Sequence, residues 1–145
     1  MPYYEVIARE GALTKEQRAA VATDITQIHC EETGAPRSFV HVQYKDYPKD
    51  SQYTAGEPDN RVMLIICNIR EGRSIQERQR MLKRISERVS GSLQKPESEM
   101  VLSINQVDAS TAMEFGLILP QPGSEPEWFE KHSAVLKRLN VIDAS

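Results

Sequence analysis

Residues 61–74 read RVMLIICNIREGRS, and this stretch decides the fold. Its first nine residues form an almost continuous apolar run, which is typical of a strand buried on both faces of a sheet. At the end of the stretch, Ser74 with Glu77 three positions later has the pattern of a helical capping box. The stretch therefore predicts a buried strand that leads directly into a helix.

The same order of elements occurs twice in the chain, in pseudo-repeats of about residues 2–46 and 61–107. Each repeat has the pattern of a strand, a capped helix and a second strand, and the caps Thr14 and Ser74 are 60 positions apart (74 minus 14). A crossover of this length joins parallel strands with a right-handed connection. We predict a mixed α/β fold, in which two consecutive β-α-β units form a four-stranded sheet with two helices on one face. The other face then needs a cover, and self-association is the economical one.

The size and composition of the chain indicate one soluble domain over residues 1–145. Charged residues make up 27%, and the net charge of -3 comes without a basic block, which argues against a nucleic-acid partner. The sequence has neither an apolar run of about 18 residues nor a secretory leader, so we expect a cytoplasmic protein without membrane attachment. Cys30 and Cys67 have no metal-ligand spacing and are predicted to be buried free thiols.

Two segments lie outside the repeats. Residues 45–60, KDYPKDSQYTAGEPDN, are rich in turn formers, which is compatible with a surface loop or with a mobile flap over a site. The tail, residues 108–145, carries Trp128 and Phe129 and a later helical segment with Val135, Leu136 and Leu139. Its apolar area predicts that the tail docks on the rest of the chain.

Several polar residues could carry chemistry, and each also has a purely structural interpretation. Arg70 and Arg73 lie just before a helix cap, where two guanidiniums and the helix amides suit a carboxylate or phosphate, although surface arginines are common. His29 continues the inward stripe of the first helix and could be a core histidine or a ligand-binding one. Glu114 follows Thr111 by three positions, which is the spacing of a capping box.

Pro2 also has two interpretations. A proline at the first position of a strand removes a ladder donor where none is needed. If Met1 is removed, however, Pro2 becomes a secondary amine that can accept and donate a proton. Pro2 alone does not distinguish the two.

Taken together, these features resemble a known family. A proline directly after Met1, two β-α-β halves, a histidine near the end of the first helix, REGRS at 70–74 and MEFGLILPQPG at 113–123 followed by EWF are similar to the tautomerase superfamily. Within it, the chain resembles the cis-3-chloroacrylic acid dehalogenase group. The likeness extends over nearly the whole chain, from Pro2 to about Phe129.

The resemblance implies a role for each matching residue. Pro2 would be the acid or base, and Glu114 would activate water together with a tyrosine. Three residues match the set that binds the substrate carboxylate, namely His29, Arg70 and Arg73. The tyrosine is absent, and Ser103 occupies its position. The family also implies a homotrimer and a small carboxylate substrate, and neither a metal nor an organic cofactor is expected.

These expectations favour enol to keto conversion of small unsaturated or 2-oxo carboxylic acids. Hydration or hydrolytic dehalogenation of 3-haloacrylates would be weak, because a serine is not a useful acid or base near neutral pH and cannot replace a phenol. The alternative is a catalytically silent, trimeric binding or interaction protein. That alternative applies if Met1 is retained, since the nitrogen of Pro2 is then an amide without basicity.

Overall fold

The computed structural model describes residues 2–143. The two halves of the chain supply the main sheet and the first two helices, and the tail supplies the third helix. In chain order the elements are β1 (Pro2–Arg9), α1 (Lys15–Thr33), β2 (His41–Tyr47), β3 (Tyr53–Thr54), β4 (Glu57–Pro58), β5 (Met63–Arg70), α2 (Ile75–Leu93), β6 (Met100–Val107), β7 (Met113–Glu114), β8 (Leu117–Ile118) and α3 (Glu125–Arg138).

The predicted sheet is confirmed. It has four strands in the order β2-β1-β5-β6. Within each half the two strands are parallel, β1 with β2 and β5 with β6, whereas the central pair β1 and β5 is antiparallel. α1 and α2 pack on one face of the sheet, where their apolar stripes and the inward residues of the central strands form the main core.

The helix boundaries follow from local chemistry. The Thr14 side chain accepts from the backbone N–H of Gln17 at 3.1 Å, and Ser74 accepts from that of Glu77 at the same distance. In both capping boxes the side chain of the third helical residue, Gln17 or Glu77, accepts a hydrogen bond from the backbone N–H of the capping residue. Gly34 ends α1 in the left-handed conformation that a glycine adopts without strain. Both capping boxes were predicted from the sequence, and both are formed.

The second face of the sheet is open in the single chain. In β5, Ile65 and Cys67 are buried against the helices, but Leu64 and Ile66 on the other side are only half-buried. The second face thus needs a cover, as the sequence predicts, and burial of this strand on both faces by self-association stays a prediction. An apolar run indicates that both faces of the strand are shielded from water. It does not indicate whether the same chain or a neighbouring subunit covers each face.

The tail docks as predicted and forms a second, smaller core around Phe39, with Trp128 and Leu136 both buried in it. The indole N–H of Trp128 donates to the carbonyl oxygen of Ile118 at 2.8 Å. α3 begins at Glu125, and its N-terminal turn borders the cavity described below. Leu139, which was expected on the helical stripe, lies beyond α3 and is exposed.

The structure also bears on residues 45–60, on the two cysteines and on membrane-spanning helices. Residues 45–60 carry the small β3-β4 hairpin and lie at the far end of the sheet from Pro2, so they form a surface loop rather than a flap over that end. Cys67 is buried, but Cys30 is only half-buried, and both thiols are free. Within residues 2–143, no helix is both long enough and apolar enough to cross a membrane.

Candidate active site

The antiparallel pairing of β1 with β5 brings the start of one strand beside the end of the other. Pro2, the first residue of β1, pairs with Ile69, the residue before Arg70. The last turns of α1, which carry His29, reach the same edge of the sheet. Residues that are far apart in sequence therefore converge here.

A cavity of about 490 Å³ lies at this edge. Four of the predicted site residues line it, namely Pro2, His29, Arg70 and Arg73. The facing wall comes from the tail and includes Leu119, Pro120, Pro122, Glu125, Trp128 and Phe129. The volume falls within the range of pockets that enclose small organic ligands, roughly 300 to 1,000 Å³.

The two arginines differ in their bonding. Arg70 forms an ion pair with Glu125 and donates to the carbonyl oxygen of Pro120. Arg73 donates one hydrogen bond, at 3.2 Å, to the carbonyl oxygen of Thr33 at the end of α1. Within residues 2–143, no carboxylate lies within ion-pair distance of Arg73. Sequence spacing gives no reason to distinguish the two guanidiniums, but among the described residues Arg70 is paired with a carboxylate and Arg73 is not.

Glu125 is a carboxylate inside the cavity that the sequence analysis did not single out. Burial acts to raise its pKa, but the backbone N–H groups of Glu125 itself and of Gly123, together with the Arg70 guanidinium, outweigh burial and hold the pKa below its usual value. Glu125 is therefore ionised near neutral pH and neutralises Arg70. The remaining positive charge of the arginine pair lies on Arg73.

His29 is buried and neutral. Burial and the nearby Arg73 lower its pKa to about 3. Its Nδ1 lies 2.7 Å from the hydroxyl oxygen of Tyr4, and the two rings meet edge to face with centroids 5.8 Å apart. The ring is thus a core residue that also forms part of the cavity wall. The interpretation of His29 as a core histidine is confirmed, and ligand binding stays a prediction.

Glu114 and Ser103 do not line the cavity of the single chain. Glu114 belongs to the β7-β8 hairpin, and its carboxylate lies in hydrogen-bond contact with Nε2 of His41 at the start of β2. The predicted capping box with Thr111 is wrong, since Phe115 and Gly116 both have positive φ and turn the chain into a hairpin. Ser103 is exposed on the open face of the sheet, paired with Ile66.

The far wall of the cavity is aromatic. Phe39 meets Phe129 with ring centroids 6.0 Å apart, and Trp128 meets Phe129 at 5.2 Å, both edge to face. The cavity therefore joins a cationic end to an apolar end, an arrangement that suits a small organic anion with an apolar substituent. Within the described part of the chain, no cluster of three or more His, Cys, Asp or Glu side chains could hold a metal ion.

Comparison with known proteins agrees with this geometry. The model of a family described as "Putative oxalocrotonate tautomerase enzyme" matches residues 1–133, which is most of the chain. The chain belongs to this tautomerase family. "Probable tautomerase LL0574" of Lactococcus lactis subsp. lactis is 42% identical over 57 residues, which are 39% of this chain and 92% of that protein. That protein is therefore about 62 residues long (57 divided by 0.92), close to the 60 positions that separate the two capping boxes of this chain.

Solved structures agree on the group within the tautomerase superfamily. N1, a member of the cis-3-chloroacrylic acid dehalogenase family, is 31% identical with a TM-score of 0.88, and the match covers 97% of this chain and 99% of N1. Native Ps01740 is 35% identical with a TM-score of 0.74, over 77% of this chain and 99% of that one. This tautomerase therefore falls in the cis-3-chloroacrylic acid dehalogenase-like group.

Two residues at the cavity were not predicted from the sequence: Glu125, which lines it, and Tyr4, which contacts the lining residue His29. Glu125 pairs with an arginine 55 positions away, and no local pattern carries that contact. Tyr4 could have been identified from the sequence, because Tyr4 and Val6 both lie on the inward side of the alternating strand β1. A buried tyrosine needs a partner for its hydroxyl, and His29 was the polar residue on the facing helical stripe.

Proposed function

We propose that the protein catalyses enol to keto conversion of small 2-oxo or unsaturated carboxylic acids, with the amine of Pro2 as acid and base. One observation carries the proposal: Pro2 lines the same cavity as His29, Arg70 and Arg73. The amine, once Met1 is removed, accepts the enol hydroxyl proton and returns a proton to carbon, so that it is regenerated. Met1 itself lies outside the described residues.

The charges of the cavity support this chemistry. Arg73, whose guanidinium has no carboxylate partner among the described residues, would bind the substrate carboxylate. Arg70 would bind it as well if the substrate displaced Glu125 from its ion pair with Arg70. Fixed donors in a cavity with apolar walls also stabilise the negative charge that develops on oxygen during proton transfer. These groups suffice for tautomerisation, which needs no activated water.

Water addition has less support. Glu114 and Ser103 lie outside the cavity of the single chain, and Ser103 cannot supply the acidity of a phenol. We propose that hydration or dehalogenation of 3-haloacrylates is at best a slow second activity. It would depend on how neighbouring subunits complete the site, since Ser103 faces the open side of the sheet.

We further propose that the chain is one domain over residues 1–145 and assembles as a homotrimer through the open face of the sheet. The half-buried Leu64 and Ile66 on that face support a protein cover. Fused 4-OT, a protein of the same fold at 20% identity, has been solved as a trimer. Sedimentation of the full chain measures the assembly, and a monomer at micromolar concentration would contradict it.

The activity test uses the purified full chain with phenylenolpyruvate and with cis-3-chloroacrylate. We expect ketonisation of the first and much slower or no turnover of the second. Pro2→Ala still permits removal of Met1 but takes away the ring amine, and should lower kcat at least about a hundredfold. Intact mass decides whether Met1 is present. No turnover, together with retained Met1, would favour the silent binding protein instead.

A further inference from the structure

The buried contact between Tyr4 and His29 determines where the imidazole proton sits. Tyr4 is completely buried, and its hydroxyl oxygen lies 2.7 Å from Nδ1 of His29. Within residues 2–143 this is the hydroxyl's one hydrogen-bond partner. The proton between the two atoms can belong to either, and the two arrangements differ in cost.

If Nδ1 carried the proton and donated it to Tyr4, the tyrosine's own O–H would be a buried donor without an acceptor. A buried donor without an acceptor is costly, because it loses its hydrogen bonds to water and gains none in return. If the Tyr4 O–H donates instead, both buried atoms are satisfied. The imidazole proton then lies on Nε2, which has no partner in the described residues and is not sealed from solvent. The second arrangement is therefore favoured.

We propose that Tyr4 is a positioning residue, which fixes His29 as the neutral tautomer with its proton on Nε2 and so makes the ring a hydrogen-bond donor into the cavity. An uncharged donor beside Arg70 and Arg73 has the right polarity for an anionic oxygen, whereas a bare ring nitrogen would repel one. His29 then adds to anion binding without adding charge.

Neither member of the pair changes its charge near neutral pH. Burial raises the pKa of Tyr4, and Cys67 and Cys30 raise it further. Burial and Arg73 keep His29 neutral, as described above. Burial also raises the pKa of the Cys67 thiol, to about 12. Cys67, which pairs with Tyr4 across β1 and β5, therefore stays uncharged as well. The donor should therefore be constant across the working range of pH.

The tautomer can be measured without any activity. In the ¹⁵N-labelled full chain, long-range ¹H–¹⁵N spectra distinguish protonated from bare ring nitrogens. We expect the His29 signals to show a bare Nδ1 and a protonated Nε2, unchanged from about pH 5 to pH 9. A protonated Nδ1, or a titration within that range, would overturn the proposal.

The variant Tyr4→Phe tests the positioning role. Without the hydroxyl, both tautomers should become populated, and kcat/KM for phenylenolpyruvate should fall about tenfold or more, the value of a hydrogen bond to a charged group. Tyr44→Phe is the matched control, since its hydroxyl donates to the carbonyl oxygen of Arg18 at 2.6 Å, outside the cavity. An unchanged tautomer and unchanged kcat/KM in Tyr4→Phe would contradict the role.

The use of the donor by a substrate rests on the proposed function, but the tautomer does not. If the wild-type chain turned over no acid, the proposed function would fail while the ring spectra still decided the position of the proton. If Tyr4→Phe did not fold, the spectra of the wild-type chain would remain the test.

Discussion

Gly72→Ala should be the most damaging single-methyl change near the site. Gly72 lies between Arg70 and Arg73 and has φ of +112°, a conformation that L side chains rarely adopt. A Cβ built there would lie 2.6 Å from Cγ and 2.7 Å from Cβ of Pro122 in the tail. Because the proline ring is rigid, it cannot swing aside as a flexible side chain would. The turn or the tail must move instead.

Two costs add up in this variant. The positive φ costs roughly 1–2 kcal/mol for a residue with a Cβ, and forcing a methyl group into a packed contact costs about 1–3 kcal/mol. The free energy of unfolding should thus fall by about 2–5 kcal/mol. At roughly 2–4 °C per kcal/mol for a domain near this size, Tm should fall by about 4–20 °C.

Thermal unfolding followed by circular dichroism measures the effect, and Gly11→Ala is the control. Gly11 has φ of +74°, and a Cβ there would meet nothing within 4 Å. It isolates the backbone cost, about 1–2 kcal/mol. Because the clash displaces the tail that walls the cavity, Gly72→Ala should also lose activity while Gly11→Ala keeps it. Equal Tm changes in the two variants would refute the packing of Pro122 on Gly72.

Three further predictions follow from the tail and the caps. Because the pKa of Glu125 is lowered from its usual 4.5, its ion pair with Arg70 stabilises the docked tail above that pH and is lost as the pH falls through the lowered pKa. Fluorescence of Trp128, the single tryptophan, should report this acid step, and an identical step in Glu125→Gln would contradict the assignment. Leu136→Ala should lower the free energy of unfolding by about 2–5 kcal/mol in urea, and a change below 1 kcal/mol would mean that the second core is loosely packed. Thr14→Ala should cost about 1 kcal/mol in the same assay without changing KM, and a changed KM would show that the cap also shapes the cavity.

Local patterns predicted the elements of the fold because their causes are local. The caps at Thr14 and Ser74 are complete within four residues, and the alternation of β1 follows directly from the pleat. The end of β5 at Arg70 was also predictable, since the next cap begins four positions later. From these elements and the crossover rule, the sheet order of each half followed.

The contacts that give the site its character are not local. The ion pair of Arg70 with Glu125 spans 55 positions, and the hydrogen-bond contact of Glu114 with His41 spans 73. The docking of the tail determines these contacts, and no short sequence pattern encodes how the tail docks. The spacing of Thr111 and Glu114 matches a capping box, but the positive φ of Phe115 and Gly116 makes a hairpin there instead, and the spacing alone does not encode that choice.

We propose that the amine of Pro2 is the reactive group of the cavity. Treatment of the full chain with 2-oxo-3-pentynoate, followed by peptide mass spectrometry, tests it most directly, because a secondary amine adds to this acetylenic ketone. We predict one adduct per chain, on Pro2, with loss of ketonisation activity. An unmodified Pro2, with either no adduct or labelling of Cys30 alone, would contradict the claim.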